Sequence, residues 1–382
     1  MKTVALKPAR AKRAGGAARA RVERAWRVAV VIGLLVSGGI GRAQTLREYA
    51  DRAGLLVGAA VNPSLLGEES YAATLAREFN MVEPENALKW AAVRPSRGVF
   101  NFGPGDRLVA FAREHRMKVR GHCLVWGKYN PAWLARGGFT PSQLSRLLRE
   151  HITRVVRHYR GQVFAWDVVN EAFDARGRVE HSIWYDAPGV GLGGRGTAYI
   201  EQAFRWARAA DPDALLFYND YDAEGLNAKS DAVYAMVKDF KRRGVPIDGV
   251  GLQTHVFDLS TEGIKSMEAN IARLAALGVE VHVTEMDVGL PLDARGRLVN
   301  PADLARQADI YRFAASACLS QPRCTAFQTW GFTDKYTWIP GYTKGSKGEP
   351  LPFDRDYAPK PAYESLLEVF RRRAEQGRVS GP

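Results

Sequence analysis

Cysteine is scarce in this chain, with three in 382 residues. None sits near histidine at zinc-ligand spacing, and none of the seven histidines belongs to an HExxH pair. Composition therefore offers no metal centre. There is no low-complexity tract and no apolar run of ~18 residues, which excludes a disordered polar chain and a comfortable membrane-spanning helix. Acidic excess is also lacking, since the chain carries +13. That basicity is confined to one place. Residues 1–43 hold ten Lys or Arg against the single acid Glu23, leaving only +4 for residues 44–382. A phosphate-binding face is not called for, so nucleic acid is not an expected partner.

The basic segment reads as an export signal. It precedes the apolar run Val28–Val36 and then Gly41-Arg42-Ala43, with small residues where a signal peptidase needs them. Cleavage near Ala43 would release a secreted or periplasmic protein without stable membrane insertion. An uncleaved anchor or a start assigned too early are the alternatives. In an exported chain, Cys318 and Cys324, which flank a short loop, are expected to pair, while Cys123 lies in an apolar strand as a small buried hydrophobe.

From residue 44 onward, short apolar runs alternate with long amphipathic segments. The runs are Leu56–Val61, Phe79–Val82, Lys118–Val125, Val163–Val169, Ala214–Tyr218, Gly249–Gln253, Val279–Thr284 and Thr325–Trp330. Their Val, Leu, Ile and Phe suit strands covered on both faces. The helices between them have readable ends: Thr140 caps and Pro141 opens one that Gly161 stops, and Asn300-Pro301 opens another running toward Ala317. Eight such strands predict an α/β chain closed as a (β/α)₈ TIM barrel, one domain over residues 44–382; an open doubly wound sheet is the alternative.

On such a barrel, chemistry collects where the strands end. Here those ends carry Glu83, Glu85, Asn86 and Lys89; Arg120, His122 and Trp126; Asn170 and Glu171; Asn219, Asp220 and Tyr221; Gln253 and His255; Glu285 and Asp287; and Trp330, Asp334 and Trp338. Any one of these has a plain structural explanation as a cap, a turn or a core ring. Recurrence at seven strand ends does not. Carboxylates, amides and tryptophans describe a carbohydrate site, because sugars offer apolar faces to rings and hydroxyls to polar groups. Glycosidic cleavage needs two carboxyl groups, and Glu171 and Glu285 are expected across the barrel mouth.

The segments Glu85-Asn86-x-x-Lys89-Trp90, Arg120-Gly121-His122, Trp166-Asp167-Val168-Val169-Asn170-Glu171, Gln253-x-His255, Thr284-Glu285-Met286-Asp287 and Trp330-Gly331-x-Thr333-Asp334 resemble those of glycoside hydrolase family 10. The likeness runs from about residue 45 to Tyr363. It implies a retaining endo-β-1,4-xylanase acting on xylan and xylo-oligosaccharides; no cofactor or metal is needed for the chemistry, and a monomer is expected. A cellulase-like retaining barrel and a non-catalytic sugar-binding barrel are the alternatives. By the same resemblance Glu171 is the acid/base and Glu285 the nucleophile, with His255, Asp287 and Asn170 in support. Glu85, Asn86, Lys89, His122, Trp126, Gln253, Trp330 and Trp338 match sugar-holding positions, and Tyr221 and Tyr129 are added as rings beside them. Two carboxyls about 5 Å apart do not easily both ionise, so Glu285 is expected to keep Glu171 protonated.

Two places depart from the family pattern. After Trp126 the family usually continues His-Ser-Gln, where this chain has Gly127-Lys128-Tyr129. Tyr129 is expected to replace part of the lost glutamine contact, and Lys128 to face solvent or an acidic group on the polymer. The loop Gly189–Gly196 reads as an insertion that spells GxGxxG, but no apolar strand leads into it, which argues against a dinucleotide site.

Overall fold

The computed structural model describes residues 44–186 and 189–379; the expected export signal lies outside the described residues. The eight apolar runs become parallel strands: β1 Leu56–Val61, β2 Met81–Pro84, β3 Lys118–Trp126, β4 Ala165–Asn170, β5 Leu215–Asp220, β6 Gly249–Leu252, β7 Glu280–Val288 and β8 Cys324–Thr329. Each pairs with the next, and β8 pairs back onto β1, so the sheet closes as a (β/α)₈ barrel.

Strand starts shift from the sequence expectation by up to two residues. Phe79, for example, lies outside β2 as the cap of helix Glu69–Glu78, with its ring in the core. The shift with most consequence is β7, which continues through Val288 and so holds Glu285 and Asp287 within the strand. The helix opened by Thr140 runs Pro141–His158, with a capping box formed by Thr140 and Gln143. Gly161 follows at φ 74°, where a side chain would be strained. The helix expected from Pro301 begins at Asp303 and ends at Leu319.

The barrel floor is polar. Arg120, Glu83 and Asp167 are fully buried, and Arg120 pairs with both carboxylates and reaches Nδ1 of His282 at 2.8 Å. Burial drives the His282 pKa down to about 4, so it sits there neutral. Elsewhere Glu78 joins the ends of the domain: its Oε2 accepts from the backbone N–H of Leu46 at 3.2 Å and from the Tyr363 hydroxyl at 3.0 Å. Cys318 and Cys324 form a disulfide with Cα atoms 5.2 Å apart, and Cys123 is a buried free thiol. Among the described residues no helix is long and apolar enough to cross a membrane.

Candidate active site

Strand register gathers the site. Trp126 on β3 lies opposite Asn170 on β4, Asn170 opposite Asn219 on β5, and Asn219 opposite Gly251 on β6. Gly251 matters because a Cβ there would overlap Asn219 Oδ1. That space lets the Asn219 amide turn toward β7. Its Nδ2 donates to Glu285 Oε1 at 2.7 Å and to Asn170 Oδ1 at 2.9 Å, while its Oδ1 accepts from the Thr284 hydroxyl at 2.7 Å.

Glu171 follows β4 with φ 54°, a left-handed backbone uncommon outside glycine. Its N–H donates to the carbonyl of Asn219 at 2.9 Å, which holds the turn in place. Four donors then converge on its carboxylate. Oε1 accepts from Asn170 Nδ2 at 3.3 Å and Gln253 Nε2 at 3.2 Å; Oε2 accepts from Trp126 Nε1 at 3.0 Å and Lys128 Nζ at 2.9 Å. The amides of Asn219, Asn170 and Gln253 thus connect Glu285 to Glu171.

Glu285 is 4% exposed, its second oxygen 3.3 Å from His255 Nε2. A two-residue strand, His255–Val256, pairs along the end of β7 and sets His255 beside Asp287. The His255 Nδ1 is 3.0 Å from Asp287 Oδ1, and the other Asp287 oxygen accepts from Trp338 Nε1 at 2.8 Å. Burial works against charge on His255, but Asp287 and then Glu285 outweigh it and hold the imidazole well above its usual range. A cation therefore stands next to Glu285.

The remaining sugar-site candidates line the same mouth. Lys89 donates to Asn86 Oδ1 at 2.9 Å, and its ammonium sits 5.0 Å from the Trp126 ring, 5.4 Å from Tyr129 and 5.2 Å from Trp330. Tyr129, half exposed, lies nearly parallel to Trp126 at 6.4 Å. Glu85, Trp330 and Trp338 share one small cavity, and burial raises the Glu85 carboxyl despite Lys89. His122 is fixed from below by Asp167, 3.0 Å from its Nδ1, and meets Trp330 edge-on at 5.3 Å. Tyr221 is set between two ammonium groups, Lys229 at 3.4 Å from its ring and Lys128 at 5.4 Å. Glu83, His122 and Asp167 lie close enough to share a cation, but Arg120 already supplies their positive charge.

Two expectations change. Lys128, still solvent-exposed, pairs with Glu171 at 2.9 Å, and Glu171 is not held protonated by Glu285. Burial does push its carboxyl up, but the charge and hydrogen bond of Lys128, with help from Gln253 and Trp126, bring it below the ordinary range. Sequence reasoning also left two residues out of the site. Asn219 was legible as a strand end, but its bond to Glu285 depends on the gap at Gly251. Trp184, whose Nε1 donates to the Trp126 carbonyl at 2.8 Å, gave no signal because it lies in an irregular loop.

The glycosyl hydrolase family 10 model matches residues 45–369. The chain belongs to that family. Endo-1,4-beta-xylanase B of Thermotoga neapolitana is 41% identical over 334 residues, 87% of this chain and 93% of the relative. A beta-1,4-xylanase of Dictyoglomus thermophilum is 40% identical over 82% of this chain and 87% of its own. The crystal structure of xylanase 10B from Thermotoga petrophila in complex with xylobiose superposes with a TM-score of 0.81 at 42% identity, covering 87% of this chain and 99% of that one. The GxGxxG loop falls between β4 and helix Ala198–Ala210 as a series of turns, and among the described residues no strand leads into it.

Proposed function

We propose that this family 10 enzyme is an exported endo-1,4-β-xylanase that cuts internal xylan bonds by double displacement with retention, using Glu285 as nucleophile and Glu171 as acid/base. The observation that carries the assignment of roles is asymmetry between the two carboxylates. Glu285 lies within a strand, held by Asn219 and by a cationic His255, while Glu171 stands on a strained turn at the mouth. The first is aimed for attack; the second is placed to exchange protons.

In the first step Glu285 attacks the anomeric carbon and Glu171 gives its proton to the departing glycosidic oxygen, leaving a glycosyl ester. Esterification removes the negative charge of Glu285. Glu171, now a carboxylate, takes a proton from water, which attacks the ester, releases the sugar and restores both groups. Asn170 and Glu285, both held by Asn219, are set to meet the 2-hydroxyl of the sugar as charge develops. Only side chains and water take part. Lys89, Trp126, Tyr129, Trp330 and Trp338 hold the flanking xylose rings, and the enzyme acts as a monomer.

Proton NMR of fresh digests tests this reading. The β-anomer should appear first from xylo-oligosaccharides, with xylan cut far faster than cellulose. An α-anomer as first product, or equal rates on the two polymers, would overturn it.

A further inference from the structure

Four donors occupy the two oxygens of Glu171, and a proton donor cannot work in that state. A protonated carboxyl needs one oxygen free to point its O–H at the glycosidic oxygen. At least one of the four has to leave before the leaving oxygen can be engaged. Asn170 and Gln253 are buried within the amide chain, and Trp126 is tied through its carbonyl to Trp184. Lys128 is different: its side chain is 59% exposed, on a flexible stem, against 11% for Glu171.

We infer that Lys128 is a displaceable counter-ion for Glu171, holding it ionised in the empty enzyme and releasing it for protonation when a sugar fills the leaving-group side. Lys128 is thus a positioning residue acting through Glu171, and the inference rests on Glu171 being the acid/base. An exposed ion pair alone is worth little, but this one has a mostly buried partner. The direction of both shifts agrees with mutual stabilisation, Glu171 lowered and Lys128 raised, each against a burial effect of the opposite sign. Other charged or titratable groups surround the pair: Asp220 at the end of β5 and Tyr221 after it feel the Glu171 charge, Lys229 pairs with Asp220, Glu180 acts on Lys128, and Glu285 on β7, beside His255 of the short strand, reaches Glu171 through Asn219 and Asn170. Of these, Tyr221 also feels Lys128, and losing the ammonium moves its phenol further up, so it stays neutral and the effect on Glu171 is separable.

The alkaline limb of kcat/KM reports the free-enzyme acid. Removing a cation that favours the carboxylate moves that limb to higher pH, each unit of movement being a tenfold gain at fixed pH on the limb. Lys128→Met should shift the limb upward on xylo-oligosaccharides, and Lys128→Arg should keep it near the parent. High salt should raise the parent's limb and leave that of Lys128→Met in place. Glu171→Ala, assayed on xylan and on a dinitrophenyl xylobioside that needs no acid, tests the underlying assignment. A selective loss on xylan upholds Glu171 as proton donor, and an equal loss on both removes that reading and this inference with it. If Glu171→Ala behaves as an acid/base variant but the Lys128→Met profile superimposes on the parent's, the counter-ion role alone is overturned.

Discussion

Asn219 Nδ2 lies 2.7 Å from Glu285 Oε1, and the orientation of that amide is fixed because its oxygen accepts from the Thr284 hydroxyl. The nucleophile is therefore aimed by a neighbouring strand as well as by its own. Asn219→Ala should lower kcat by a factor on the order of 10² to 10³, the usual cost of one preorganised donor, with KM on long xylan little changed. Gly251→Ala should reproduce much of this loss, since the added methyl takes the place of the Asn219 side chain. Steady-state kinetics with both variants checks it; parent-like kcat in Asn219→Ala would show that the amide does not serve the reaction.

Glu285→Ala should reduce xylan hydrolysis by a factor on the order of 10⁵, with little change in fold, because the position aims a carboxylate into the mouth. Added azide or formate should restore partial turnover on activated aryl xylosides, giving the α-configured product. A pure variant with near-parent activity would exclude this nucleophile.

The ring of Tyr129 extends the Trp126 surface outward and is half exposed. Tyr129→Ala should raise KM for short xylo-oligosaccharides roughly fivefold, corresponding to about 1 kcal/mol of ring contact. On long xylan kcat should stay near the parent, since other subsites anchor a polymer. Equal kinetics on every chain length would leave the ring without a role in sugar contact.

Glu224 is a buried carboxyl that accepts from the Thr254 N–H at 2.7 Å, and burial raises its pKa to about 7. Its folded value lies above its unfolded one, so the neutral form favours the fold. Stability is undiminished at pH 4 and falls as pH rises toward 7 and beyond. Glu224→Gln keeps the acceptor and lacks the charge, so it should gain on the parent between pH 4 and pH 8 by up to ~3 kcal/mol. Denaturant melts at the two pH values measure this, and a difference that does not change with pH would contradict it.

Periodicity carried the barrel because strands buried on both faces leave long apolar runs, and the cap at Thr140 was legible because its chemistry is local. Strand limits were less so: Phe79 is as apolar as a strand residue but its backbone caps a helix. Within the site, His255 and Asp287 could be named from their strand ends, while their contact depends on a two-residue pairing too short to leave a pattern. Lys128 shows the same limit more sharply. A lysine in a polar loop looks solvated in sequence, and only the fold of the loop brings its ammonium to Glu171.

Pairing of β8 with β1 also bears on how the protein is made. The first strand waits through more than 260 residues of synthesis for its second neighbour, a long-range closure of the kind that slows folding. Glu285 lies on the last strand but one, with β8 as its outer neighbour. A nascent chain that stops before Cys324 thus holds both carboxylates yet has an open sheet. Truncated translation products ending there should be inert toward xylan, and the cell gains activity only once the final strand has been laid down.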